Sequence, residues 1–296
     1  MCFVVPCFNE EEILPEMAGR LAEKIEMLCE ARLISPESRV LFVDDGSTDK
    51  TWDQILRSAK AYKTISGIAL ERNLGQQTAL YAGLLEIKDS FDAAISVDAD
   101  GQHDLAAVDQ MLRAFTAGNE IVFAVRQNRD AETAFKLITG SLYYSLLALL
   151  RIRTVKGHAD FRLVSAGAIR MLEDMPKGSI FLRGIFPSLP LKSAVVKYCC
   201  LPRLGGKSKY SLKKMLLLAV DGLICGGIRP AAAIGACGVI LSVAAPVLRA
   251  AGDSCVFILF SALSAASGII FLCVFSASYV RYRRGSGQVF KVTDRI

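Results

Sequence analysis

The sequence predicts an α/β fold, a parallel sheet covered by helices on both faces, followed by a transmembrane hairpin. Short apolar runs alternate with helix-period stretches through the N-terminal half, the pattern of strands buried on both faces. Four of those runs end in acids or amides. Two long uncharged runs lie near the C-terminus. The composition agrees: 296 residues, 52% apolar, 22% charged, 8% aromatic and a formal charge of +6, with a mean hydropathy of +0.38. A positive mean in so charged a chain requires clustered apolar residues, and the composition excludes disordered, collagenous and low-complexity chains.

Taken in order, residues 2–6 (CFVVP) read as a strand, and an acidic helix-period stretch runs from Glu10 to about Leu33. Val40–Val43 is the second strand, ending in DDGSTD, where Asp49 caps a helix through about Tyr62. Ser66–Leu70 is a strand, Gln76–Ile87 a helix, and Ala93–Val97 a strand ending in DADGQHD. A helix over about 105–117 then leads to the strand Glu120–Val125.

The uncharged runs 230–248 and 254–280 are each long enough to cross a hydrocarbon layer of roughly 30 Å. They are apolar all round, unlike an amphipathic core helix. Their connection carries only Arg249 and Asp253, whereas Arg281, Arg283, Arg284, Lys291 and Arg295 follow the second run against Asp294. This asymmetry places both termini and the polar domain in the cytoplasm, at the inner (cytoplasmic) membrane. Met1–Phe8 has no basic flank and meets Glu10, Glu11 and Glu12, so no secretory signal is expected. The expected units are a domain over 1–210, a juxtamembrane amphipathic helix over 211–229, the hairpin over 230–280 and a basic tail over 281–296. The nine cysteines include no C-x-x-C pair, and Cys237, Cys255 and Cys273 fall in the spans, so reduced, mostly buried thiols are expected. Two histidines argue against a multi-histidine zinc site.

In open α/β sheets ligands gather beyond the carboxyl ends of the strands. Those ends carry Pro6, Asn9 and Glu10; Asp44 and Asp45; Arg72 and Asn73; and Asp98, Asp100 and Gln102. There is no G-x-G-x-x-G and no G-x-x-x-x-G-K-[ST], so phosphates must be held another way. Asp98-Ala99-Asp100 offers one: two carboxylates at a strand end suit a hard divalent cation, Mg²⁺ or Mn²⁺, which would neutralise a diphosphate. Solvated loop acids or helix caps are the plainer alternative.

The segments VVPCFNEEE, FVDDGSTDKTW, LERNLGQQTALYAGL, SVDADGQHD and ADFRLVS occur in this order. The chain resembles the polyprenyl-phosphate glycosyltransferases of glycosyltransferase family 2, enzymes of GT-A (Rossmann-like) fold similar to dolichyl-phosphate mannose synthase and the bacterial bactoprenol glucosyltransferases. The resemblance runs over roughly residues 3–215, and the two C-terminal spans fit the membrane-anchored bacterial branch.

The resemblance implies that Pro6, Asn9, Glu10 and Asp45 line a nucleoside pocket, with Asp44 beside it, and that Asn73, Gly75 and Gln76 close over base and ribose. Gln76 stands where many relatives have Lys or His. Asp98, Asp100 and Gln102 correspond to the metal and diphosphate group. DDGSTD also reads as a capped turn, with Gly46 supplying backbone freedom and Ser47 and Asp49 satisfying amides. Both readings can hold together.

The acceptor side lies in the second half. Lys192, Lys197, Arg203, Lys207, Lys209, Lys213 and Lys214 share a stretch without an acid, either a basic face beside anionic headgroups or, with Ser208, a lipid-phosphate site. Stretches 137–150 and 211–229 carry amphipathic spacing suited to the membrane interface or to an ordinary core. Arg126, Arg129 and Lys136 are similar to the family's Arg-rich acceptor loop. Asp160 and Arg162 match a motif near sugar and acceptor. Asp160 orients the sugar, acts as base, or forms an internal ion pair with Arg162 or Arg183. Among these, Asp98, Asp100, Asp160 and Arg126 are the expected catalytic set.

The expected activity is metal-dependent, inverting transfer of one sugar from a nucleoside-diphosphate sugar, UDP-linked by preference, to undecaprenyl or another polyprenyl phosphate. Partners are the donor, the lipid phosphate and the membrane, with no nucleic acid, and a dimer or tetramer would add membrane grip. A glycan or glycolipid acceptor is an alternative, though no Q-x-x-R-W motif or further spans accompany it. A non-catalytic sugar-nucleotide scaffold is another.

Overall fold

The computed structural model describes residues 1–127, 155, 157–173, 180–205, 254–284 and 290–296. The N-terminal elements follow the predicted order: β1 (Cys2–Cys7), α1 (Leu14–Glu30), β2 (Arg39–Asp44), α2 (Thr51–Ala61), β3 (Ile65–Leu70), α3 (Gln76–Ile87), β4 (Ala93–Ser96), α4 (Ala107–Thr116) and β5 (Ile121–Arg126). The helix expected from Glu10 begins only at Leu14, with Pro15 in its first turn. The chain first turns at Asn9, whose φ is +53°, and the Glu10 carbonyl accepts the Ile13 and Leu14 N–H groups.

Beyond β5 come β6 (His158–Ser165), α5 (Ala166–Glu173), α6 (Leu182–Ser188), β7 (Ser193–Tyr198), α7 (Ser254–Arg284) and β8 (Val292–Arg295). All eight strands form one sheet in the order β7-β5-β6-β4-β1-β2-β3-β8. The sheet is mixed, which corrects the all-parallel expectation. β1, β2, β3 and β4 run parallel, but β6 is antiparallel to both β4 and β5. β8 is antiparallel to β3 at the edge. The last residues of the basic tail thus add an edge strand to the sheet, and Arg295 pairs with Glu86 at 2.8 Å.

Helices cover both faces, as predicted. α1 and α4 contribute Leu14, Leu21, Val108 and Met111 to the core on one face, against Phe3, Val5 and Phe42. On the other, α3, α5 and α6 pack Leu80, Leu84, Ile169 and Phe186 against Val4, Leu41 and Val43. Burial of these aliphatic and aromatic side chains, each worth about 1.5–3 kcal/mol, is the main favourable term. All eight residues of β6 are buried. Its two sides differ: Ala159, Phe161 and Leu163 join the first core, while His158, Asp160 and Arg162 alternate onto the opposite face.

Cys2, Cys7, Cys29, Cys199, Cys200 and Cys273 form no disulfide. Cys2 and Cys7 are buried, but Cys199 and Cys273 are exposed, so burial is less general than expected. Among the described residues no helix is long and apolar enough to cross a membrane. The first span, 230–248, and the amphipathic stretches 137–150 and 211–229 lie outside the described residues. α7 coincides with the second: it has 31 residues and exposes Ile258, Leu259, Ile269 and Leu272.

Candidate active site

The loops after β1 and β2 are stitched together. The Asn9 N–H donates to Ser47 Oγ at 2.9 Å, and Asn9 Oδ1 accepts the Thr48 N–H at 2.8 Å. The Glu10 N–H reaches Thr51 Oγ1 at 2.8 Å. Asp44 accepts both the N–H and the hydroxyl of Ser47, and Asp49 accepts the Glu11 and Thr51 N–H groups. The capped turn thus exists, with Pro6 on β1 beside Val43. Gly46 has a φ of +65°, and a Cβ there would lie 2.4–2.7 Å from the backbone of Arg72 and Asn73, so only glycine lets these strand ends approach.

Asp45 links this floor to α3. Its two carboxylate oxygens accept the Leu74 and Gly75 N–H groups, both at 2.8 Å, at the N-terminus of α3. Burial pushes Asp45 up to about 6 and also raises Asp44. Asn73 is exposed just before this turn.

Two adjacent glutamines then hold two acids. Gln76 Nε2 donates to Asp98 Oδ1 at 2.6 Å, and Gln77 Nε2 donates to Asp160 Oδ2 at 2.9 Å. Gln77 Oε1 also accepts the Leu182 N–H at 3.1 Å. Asp98 and Asp160, distant in sequence, are thereby brought to the first turn of one helix. Burial, then the carboxylates of Asp160 and Asp100, push Asp98 up to about 7. A cation would relieve that repulsion. Asp100 Oδ1 accepts the Gln102 N–H at 3.1 Å, and its Oδ2 lies 3.1 Å from Arg203. Among the described residues no group of three or more His, Cys, Asp or Glu side chains is arranged to hold a metal ion. The oxygen donors Asp98, Asp100 and Gln102 suit Mg²⁺ or Mn²⁺, with water or a diphosphate completing the shell.

Asp160 is buried and paired with Arg162 and, at 2.8 Å, with Arg183. Burial acts to raise its pKa, but Arg183 and Arg162 overcome this and hold the carboxyl well below the usual range. The ion-pair alternative is therefore realised with both arginines at once. Arg162 is itself buried, bonded to the Leu182 carbonyl at 3.0 Å and 5.2 Å from the Phe186 ring centroid. Its place corrects the expected acceptor contact: it supports Asp160 from the interior. Arg183 keeps 29% of its side chain exposed and is the arginine of this pair that can meet a ligand. Arg126 donates from Nε to the Tyr198 hydroxyl at 3.1 Å. Arg129, Lys136, Lys207, Ser208 and Lys209 lie outside the described residues.

The family model for glycosyl transferase family 2 matches residues 2–171. The chain belongs to that family. This glycosyltransferase is 42% identical over 230 residues to the uncharacterized glycosyltransferase YkoT of Bacillus subtilis, covering 78% of this chain and 68% of YkoT. It is 30% identical over 221 residues to the prophage bactoprenol glucosyl transferase homolog of Escherichia coli, covering 74% and 70%. Glucosyl-3-phosphoglycerate synthase from Mycobacterium tuberculosis overlaps 77% of this chain and 79% of its own, with 18% identity and a TM-score of 0.47. Membership makes the chain an α/β GT-A glycosyltransferase with a sugar-nucleotide donor.

Sequence reasoning missed Gln77, His103, Tyr198 and the Arg203 contact of this glycosyltransferase site. Gln77 had one signal, its adjacency to Gln76 at a helix start. His103 stood in the SVDADGQHD segment beside Gln102, whereas Tyr198 had no signal, because its role comes from packing against Phe161 and His103.

Proposed function

We propose that the protein transfers a single sugar from a nucleoside-diphosphate sugar, UDP-linked by preference, to a polyprenyl phosphate, with inversion at the anomeric carbon. The observation that carries the reading is the convergence of Asp98 and Asp160 on Gln76 and Gln77, which sets a cation-suited pair beside an arginine-buttressed rim. The similarity to bactoprenol glucosyl transferases supports the lipid acceptor.

The Asp45-capped turn and the DDGSTD loop would receive the nucleoside. Asp98, Asp100 and Gln102 would hold Mg²⁺ or Mn²⁺, which when bound offsets charge on the departing diphosphate. Arg126 and Arg183 would orient phosphate oxygens, since guanidinium matches them in a bidentate manner. A polyprenyl phosphate is already anionic, so its oxygen attacks the anomeric carbon as the bond to the diphosphate breaks, and no strong base is needed. Asp160 suits that chemistry because its arginine partners keep it ionised and weakly basic. An α-linked donor then yields a β-linked lipid product.

The reading locates the reaction at the cytoplasmic membrane face, with 1–210 the catalytic domain and 230–280 the anchor. The exposed apolar residues of α7 support it. So does β8, whose pairing with β3 keeps residues 292–295 on the same side as the sheet. An anchor would therefore enter and leave the membrane through the two uncharged sequence runs, 230–248 and 254–280.

Purified full-length protein supplied with Mg²⁺ or Mn²⁺, a panel of labelled sugar nucleotides and undecaprenyl phosphate should form one labelled lipid, and Asp100→Ala should abolish it. Transfer from no donor, or full activity in Asp100→Ala, rejects the reading. Transfer only to a glycan or diacylglycerol reassigns the acceptor.

A further inference from the structure

The imidazole of His103 touches Asp98 twice. Its Nδ1 accepts the Asp98 backbone N–H at 3.1 Å, and its Nε2 stands 3.4 Å from Asp98 Oδ2. The backbone bond decides the tautomer: a ring nitrogen that accepts a hydrogen bond carries no proton, so in the neutral ring the proton sits on Nε2, facing the carboxylate.

The ring is held on its face and at its edge. It stacks on Phe161 with centroids 4.7 Å apart and planes 8° apart, and Tyr198 meets it edge-on at 5.7 Å. A phenylalanine would fill this aromatic cluster equally well. It would also avoid burying a ring nitrogen that makes no hydrogen bond among the described residues. An under-satisfied buried N–H is unfavourable and calls for a reason. The nearest acceptor is the Asp98 carboxylate, whose other oxygen is held by Gln76 at 2.6 Å.

We infer that His103 is a positioning residue which orients the Asp98 carboxylate toward a divalent cation, gripping the main chain and the side chain of one aspartate with the two nitrogens of one ring. The inference rests on the cation role given to Asp98 above. Residues that orient metal ligands in this way commonly change metal affinity without touching the ion. The Asp98 main chain is bonded to the ring, its carboxylate stands 3.4 Å from Nε2, and Phe161 and Tyr198 hold the ring in place.

The test uses the full-length protein and three variants titrated with Mn²⁺ alone, the free ion being read by electron paramagnetic resonance, with melting curves taken in the absence of metal. His103→Phe keeps the stack and removes both nitrogens. His103→Asn keeps an acceptor for the Asp98 N–H but no donor reaching the carboxylate, whereas His103→Gln keeps a donor at the distance of Nε2. The expected result is Mn²⁺ binding weakened about 10- to 100-fold in the Phe and Asn variants and restored toward wild type in the Gln variant, at similar melting temperatures. Equal Mn²⁺ affinity in wild type, Phe and Asn overturns the inference and leaves the cation role of Asp98 intact. Equal failure of wild type and Asp98→Asn to bind Mn²⁺ overturns the cation role and the inference together. Should the Phe variant not fold, the Asn and Gln pair decides: Gln binding no better than Asn overturns the proposal.

Discussion

Arg183 Nη2 lies 2.8 Å from Oδ2 of Asp160, joining α6 to β6 at the rim of the cleft. Arg162 takes the other oxygen from below, so one buried acid serves two cations and stays ionised. Removing it strands Arg162 in the interior. Asp160→Ala should therefore lose about 3–5 kcal/mol of stability at pH 7, the usual penalty for an uncompensated buried charge, read by denaturant unfolding. The folded pKa lies below the unfolded value of 3.8, so this contribution is present above about pH 4 and fades as pH falls below it. The difference from wild type should shrink accordingly in acid.

Asp45 behaves in the opposite sense. Burial raises it from 3.8 to about 6, so the folded state binds its proton more tightly, and this group's contribution is lost as pH rises from about 4 through 6. Asp45→Asn loses part of the cap on Leu74 and Gly75 but also the buried charge. Its destabilisation relative to wild type should be about 2 kcal/mol smaller at pH 8 than at pH 4, from the free energy of a pKa shift, measured by melting across that range.

Gly46→Ala places a methyl group within 2.4 Å of the Arg72 carbonyl carbon at a φ of +65°. Strain of about 1–3 kcal/mol is expected from the backbone alone, with further displacement of the Asn73–Gly75 turn. UDP binding measured by calorimetry should weaken at least about tenfold, the equivalent of about 1.4 kcal/mol.

Arg203 contacts Asp100 at 3.1 Å, and the Leu204 side chain packs against Gly101. A divalent cation and Arg203 would compete for one carboxylate. Arg203→Gln should tighten binding of Mn²⁺ alone by about two- to fivefold, because a partly exposed ion pair is worth up to about 1 kcal/mol. Unchanged affinity would show that the arginine yields its place freely.

The first five strand runs and α3 were legible to within a residue or two, because strands buried on both faces read as unbroken apolar runs and four of them are followed by acids or amides. β6 was not legible as a strand. Its His158, Asp160 and Arg162 resemble a solvent-facing side, yet all are buried, the ion pair having replaced water. β8 escaped for a different reason: VTDR has no apolar run, and it becomes a strand by borrowing the open edge of β3.

The order of the motifs along the chain is enough to establish the family and the strand ends that carry the acids, because each depends on neighbours within a few residues. Tertiary structure alone decides which acids share a helix terminus, that Arg162 supports Asp160 from the interior, and that His103 backs Asp98. The first joins α3 to the acids at β4 and β6 across 22 and 83 residues, and the other two depend on burial among side chains brought in by other strands. Burial and charge pairing at such separations are set by packing, which local periodicity does not encode.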